Sequence, residues 1–315
     1  MTKFLKAAKL QTMTTLGKKG EHKTIERLSN ILTGSPDVIR GAGDDCAIVK
    51  TSGESQLEWL FTSDPVIFGT HFTQESEPES VGRKAVGRVL SDIAAMGGMP
   101  RFILIDIAAP GNVESSYLER AYKGADRIAS EFECAIVGGD LSRADSLQIH
   151  VFCAGTITTG RGILRSGARP GHALLVTGQL GGASAGKHLS FIPRVKEGAW
   201  LREKGYAQSM IDVSDGLARD ATHLAEESGV RINITASKLP LSKHLQPGSA
   251  VEQALYDGED FELLFTTEHE NLPLILKEWS QHFETPLTHI GEVSSGNAEV
   301  LLDNRIIELS EFRHF

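Results

Sequence analysis

The stretch GAGDDCAIV, residues 41–49, sets two carboxylates, Asp44 and Asp45, side by side ahead of an apolar run that reads as a buried strand. Adjacent like charges in a half-buried turn raise each other's pKa or collect a cation. The pattern returns along the chain: Asp64 in TSD, Asp140 in GGD, and Asp212 with Asp215 in DVSD each stand where an apolar run ends. Asp92 is different. On a helix it shares a side with Ala85, Val89 and Met96, because spacings of three, four and seven return to one face. A carboxylate there is costly unless it is paired or metal-bound. Hard oxygen ligands spread over strand ends and one helix suit Mg2+ ions that also bridge phosphate oxygens. Gly43, Gly138, Gly139 and Gly216 stand beside them and would let backbone approach a phosphate closely. Taken singly, each residue also has a plainer role: Asp92 pairing with Arg88, and Asp44 or Asp215 capping a helix or closing an Asx turn.

Other motifs are weaker. GGASAGKH, residues 181–188, fits G-x-x-x-x-G-K, but His188 stands where a phosphate loop places Ser or Thr. A closely packed strand-to-helix turn explains it better. The chain has no H-E-x-x-H. His71 in FGTHF reads on its own as a satisfied core or turn histidine, and Glu259 and Asp260 in DGEDFELLF as a solvated turn.

These residues need a scaffold. Ile25, Leu28 and Leu32 at helical spacing predict a first helix. Residues 81–100 read as a helix closed by Gly97, Gly98 and Pro100, and residues 115–132 as a second with Leu118, Ala121, Ala125, Ile128 and Phe132 on one side. FILIDIA, CAIVGGD and LQIHVFCAGTI read as strands, the middle one running into a Gly-Gly-Asp turn. A Ser, Gly and Pro cluster at residues 165–171 marks a boundary. Beyond it come the strand ALLVTG, a short helix from about Ala183, a strand, acidic turn and helix over residues 208–229, the strand VRINI, and a helix around 272–281.

At 315 residues the chain exceeds the size at which one core stops growing, so two domains are expected. The organisation predicted is an N-terminal extension over 1–19, an α+β domain over 20–164 and an α/β domain over 165–315. A net charge of -9 argues against general affinity for nucleic acid or anionic membranes. Cys46, Cys134 and Cys153 have no CxxC spacing, which fits a reducing cytoplasm and neither a disulfide framework nor a zinc site. The basic N-terminal stretch is broken by Lys3, Lys6 and Lys9 and lacks a secretory apolar region.

In order, GAGDDCAIV, FTSDPVIFGTHF, LSDIAAMGGMP, IVGGD, LRSGARPG, VTGQLGGASAG, MIDVSDGLARD and GEDFELLFT resemble the thiamine-monophosphate kinase family, in the superfamily of aminoimidazole ribonucleotide synthetase and selenophosphate synthetase. The resemblance covers nearly everything from Gly20 onward. It implies a two-domain architecture with mixed sheets packed by helices. The activity implied is transfer of the ATP γ-phosphate to thiamine monophosphate, with several Mg2+ ions, in a cytoplasmic homodimer. It further implies metal on Asp45, Asp64, Asp92, Asp140, Asp212 and Asp215, helped by Thr62 and Ser63, with Asp92, Asp140 and Asp212 central to catalysis. Gly139, Asp140, Arg165 and Ser214 would contact nucleotide; His71 and Glu259 would face the thiamine side. The chain departs from the family there: KHLSFIPRVKEG is shortened, Gly-Gly-Glu-Asp becomes Asp257-Gly258-Glu259-Asp260, and a C-terminal Trp is replaced near Leu309, with Phe312 a partial substitute. These departures keep two alternatives open, an ATP-dependent synthetase or phosphotransferase with another small-molecule acceptor, and a non-catalytic nucleotide-binding paralogue.

Overall fold

The computed structural model describes residues 21–53, 55–245 and 248–307. The extension expected over 1–19 and the acceptor-side Phe312 lie outside the described residues. Residues up to Ser35 belong to a unit separate from Pro36–Leu309, and carry the helix Glu21–Ser29, which ends before Leu32.

Two mixed sheets build Pro36–Leu309. The first has the strand order β1-β2-β3-β6-β4-β5, with β1 Val38–Arg40, β2 Ala47–Lys50, β3 Leu57–Ile67, β4 Met99–Ala109, β5 Ala135–Arg143 and β6 Gln148–Thr158. Among the described residues only β4 and β5 pair in parallel there. The second has the order β13-β12-β9-β11-β7-β10-β8, with β7 His172–Thr177, β8 Ser209–Asp212, β9 Arg231–Ile234, β10 Leu263–Glu268, β11 Leu287–Ser294, β12 Glu299–Leu302 and β13 Arg305–Ile306.

The apolar run of β7 is explained by its central place, since a strand covered on both faces carries no polar alternation. Ala173 and Leu175 join the core that also fills the first sheet, while Leu174 and Val176 join a second core with Ile211, Leu217 and Leu224. Between the sheets lies the helix Pro78–Ala95, touching β3, β4 and β6 on one side and β8 and the helix Val195–Lys204 on the other. Its neighbours come very near. A Cβ at Gly124, in the helix Ser115–Glu131, would fall 1.9 Å from the Glu79 carbonyl oxygen, and one at Gly198 would fall 2.2 Å from that of Ala94. The helix that carries Asp92 is therefore clamped on two sides.

Several boundaries differ from expectation. The clamped helix starts at Pro78 and ends at Ala95, and Pro100 lies inside β4. Asp64 and Asp140 lie within strands, not at strand ends. β3 pairs with β6 from Leu57↔Thr158 to Ile67↔Gln148, so the ladder continues through the polar TSD. β5 runs through Gly138, Gly139 and Asp140 beside β4. A Cβ at Gly139 would meet the Ile105 carbonyl oxygen at 1.8 Å. The close strand contact therefore accounts for this glycine. The short helix expected from Ala183 is two 3-10 turns, Ala183–Ala185 and Lys187–Leu189.

Candidate active site

Asp45 comes from the loop before β2, Asp92 from the clamped helix and Asp212 from the end of β8. Their carboxylate oxygens lie within 4.8 Å of one another. Thr62 Oγ1 donates to Asp92 Oδ2 at 2.5 Å, and Ser91 Oγ donates to Asp212 Oδ2 at 2.6 Å. Arg165 donates to Asp45 Oδ1 at 2.7 Å, and its backbone N–H to Asp44 Oδ1, also at 2.7 Å. The neighbouring Asp44 is taken up by Arg40, so the two adjacent carboxylates of the opening motif do different jobs. Asp45 Oδ2 is buried without a hydrogen-bond partner among the described residues.

Burial, followed by the charges of Asp64, Asp212 and Asp45, pushes the Asp92 carboxyl far above its ordinary range. Burial and Asp45 push Asp212 up to about 7. Such crowding of carboxylates, with an orphaned oxygen among them, is relieved by a bound cation. The residues fit Mg2+: hard oxygen donors from three separate elements meet at one point.

Asp64 borders this group and is held by Arg88, whose Nη2 donates to Asp64 Oδ1 at 3.0 Å. Thr62 and Asp64 share one face of β3, whereas Ser63, by strand alternation, points to the other. Its hydroxyl is thus directed away from the carboxylates. Asp140 is exposed on β5, opposite Asp106. With Gly139 it lines an open groove of about 820 Å3 with Tyr122, Lys123 and Asp126, outside the three-carboxylate group. Asp215 falls in another group, with Asp220 and His223, where Asp220 Oδ2 accepts the Asp215 N–H at 3.1 Å. Ser214, in the same loop, accepts the Glu259 N–H on its carbonyl at 2.8 Å.

The acceptor-side residues are also connected. Lys84, fully buried, places Nζ 2.7 Å from the His71 carbonyl, from His188 Nδ1 and from Glu259 Oε1. His71 Nδ1 accepts the Ile67 N–H at 3.1 Å. Against the upward push of burial, the His188 hydrogen bond and the Lys84 charge hold Glu259 at about 2. Glu259 and Phe261 have φ values of 54° and 51°, left-handed conformations that side chains rarely adopt and that concentrate at functional sites. The turn expected to be solvated is instead packed. Phe261 stacks on Phe191 at 4.1 Å between centroids, and Asp260 is buried, accepting the Gly181 N–H at 2.8 Å and Lys187 at 2.9 Å. That contact explains why GGASAGK is no phosphate loop: the protein's own Asp260 occupies its lysine and a backbone donor.

Lys84, Arg88 and His188 escaped the sequence reading as site residues. Lys84, Arg88 and Asp92 recur every four residues, a spacing that puts all three on one helix face. His188 offered no comparable signal.

Two family models match the chain: AIR synthase related protein, N-terminal domain, over residues 43–157, and AIR synthase related protein, C-terminal domain, over residues 190–304. The thiamine-monophosphate kinase of Aquifex aeolicus is 35% identical over 299 residues, covering 87% of this chain and 92% of its own. That of Escherichia coli K12 is 32% identical over 305 residues, covering 88% and 91%. The solved structure of AaThiL complexed with AMPPCP and TMP matches with a TM-score of 0.84 at 33% identity, over 97% of this chain and 100% of that one. Motif order, sheet topology and these matches agree that the chain belongs to the thiamine-monophosphate kinase family of AIR synthase related proteins.

Proposed function

We propose that this protein transfers the γ-phosphoryl group of ATP to the phosphate of thiamine monophosphate, giving thiamine diphosphate and ADP. The observation that carries the reading is the meeting of Asp45, Asp92 and Asp212 within 4.8 Å, with one Asp45 oxygen left unpartnered. Asp45, Asp92 and Asp212, with Asp64 beside them, would hold Mg2+, which when bound supplies positive charge between two anionic reactants. Asp140 and Asp215, in their separate positions, are proposed for further ions.

The chain's own residues do the rest by positioning. A new bond forms from an acceptor phosphate oxygen to the γ-phosphorus as the bond to the β-phosphate oxygen breaks. The acceptor's second pKa is about 6, so it is already largely ionised at neutral pH and needs no strong general base. Ser91 and Thr62 orient the Asp212 and Asp92 carboxylates; the clamped helix holds Ser91 and Asp92 against drift, and the β3 ladder holds Thr62. Arg165, with Gly139 and Ser214, is assigned to nucleotide; Glu259 and His71, locked by Lys84, are assigned to the acceptor.

The enzyme proposed is cytoplasmic, has two domains meeting near residue 165, and acts as a homodimer. Among the described residues β5 is an edge strand nine residues long, and Val137 and Leu141 on it are 58% and 65% exposed beside Phe102 and Leu104. An apolar edge of that kind favours pairing with another strand. Among the described residues no helix is long and apolar enough to cross a membrane. Purified protein given ATP, Mg2+ and thiamine monophosphate is expected to release ADP and thiamine diphosphate in equal amounts, read by chromatography. No product across divalent metals and pH would remove the reading.

A further inference from the structure

Arg88 stands at the seam between the carboxylate group and the acceptor-side residues, one turn before Asp92 on the same helix. Its Nη2 donates to Asp64 Oδ1 at 3.0 Å and its Nη1 to Glu259 Oε1 at 3.3 Å. The guanidinium lies over Phe261, 5.7 Å from the ring centroid. The side chain is 14% exposed, and Nε is buried without a hydrogen-bond partner among the described residues.

A guanidinium carries five N–H donors, and the fork here is split between two acids, one contact to each. Neither contact is the two-pronged pairing that best matches a carboxylate. A cation buried this far with donors unused is costly unless an anion completes its set. The other cations nearby are committed. Lys84 has three donors, and its ammonium is already surrounded by the His71 carbonyl, Glu259 Oε1 and the His188 ring. Arg165 donates to Asp45 at 2.7 Å.

Resting on the kinase reading above, the geometry points to Arg88 as the residue that grips the phosphate monoester of the acceptor and sets the preference for a phosphorylated acceptor over the free alcohol. Its fork suits two phosphate oxygens. Its links to Asp64 and Glu259 place it where the two halves of the site meet. Phe261, in a left-handed backbone conformation, presents its ring beneath the guanidinium.

The test compares the unaltered enzyme with R88Q and R88K, by steady-state kinetics for both substrates and by calorimetric binding of thiamine monophosphate and of thiamine. R88Q is expected to raise the KM for thiamine monophosphate by roughly 10- to 100-fold, to leave the KM for ATP within about threefold, and to lose the preference for thiamine monophosphate over thiamine. R88K keeps the charge but not the fork, and is expected to fall between. A purely structural arginine would shift both KM values together and leave that preference intact. That result, or an unchanged acceptor KM in R88Q, overturns the inference while the kinase reading stands. Should R88Q fail to fold, R88K with the unaltered acceptor KM and preference overturns it equally. Absence of thiamine diphosphate from the unaltered enzyme overturns the kinase reading itself, and the inference with it.

Discussion

Around Asp92, carboxylates from a loop, a helix and a strand end crowd together with two hydroxyls and one guanidinium for partners. Two turns earlier on the same helix, Lys84 meets a carbonyl, an imidazole and Glu259 at 2.7 Å each. Both regions bury charge, but with opposite outcomes: Asp212 is pushed up to about 7, and Glu259 is held at about 2. The first is short of positive charge and is built to receive it. The second supplies its own counter-charge and is built to hold a shape. A phosphoryl-transfer site needs both, since anions must be neutralised at one end and an acceptor aligned at the other.

The comparison can be broken at either end. The largest effect is expected from Asp92→Asn. It should cut kcat by about 10^2 to 10^3-fold, as loss of a central electrostatic contact does, while raising the thermal stability of the metal-free protein by removing one of the crowded charges. Turnover assays paired with melting curves check this, and a stability loss as large as the activity loss would mean that the group is not short of cations. Next comes Lys84→Met. With its ammonium gone, Glu259 keeps only His188 and Arg88, and urea unfolding should report a loss of about 2 kcal/mol or more. An unchanged midpoint would show that the acceptor region does not depend on its own counter-charge.

The smallest effect is a pH dependence with two arms of opposite sign. Asp92 and Asp212 lie above their ordinary 3.8. The folded chain therefore keeps protons that the unfolded chain has lost, and stability falls as pH climbs above about 4, the Asp212 share being lost by about 7. Glu259 lies below its ordinary 4.5, so its stabilising contribution is full above that value and is lost as pH falls toward 2. The metal-free protein should melt a few degrees lower at about pH 8 than at about pH 5. Mg2+ should recover most of that difference at the higher pH, measured by calorimetry. Equal melting temperatures with and without Mg2+ at both pH values would erase the distinction between the regions.

How far the site was legible varied by residue. Asp92 stood out because a carboxylate on an apolar helix face conflicts with burial, and Asp45 and Asp212 because they adjoin apolar runs. Asp140 and Asp215 carried the same signal, yet the fold sends one to an exposed strand and the other to a separate group with Asp220 and His223. Lys84 and Arg88 look like ordinary surface residues of an amphipathic helix, and only the 3-10 turn carrying His188 and the turn carrying Glu259 and Phe261, packed over that face, turn them inward. Asp260 and Lys187 are 73 residues apart, and nothing local announces that one occupies the other.

Sequence alone determined which residue types were available and the local elements that carry them, because periodicity of three to four or of two follows from backbone geometry and the burial of one face. It also determined the family, through the order of its acidic motifs. Tertiary structure alone decided which carboxylates meet and which cations are already occupied. Those outcomes depend on contacts between segments far apart in the chain, here closed by a helix clamped between two sheets, and charge pairing at such distances leaves no periodic trace in the sequence.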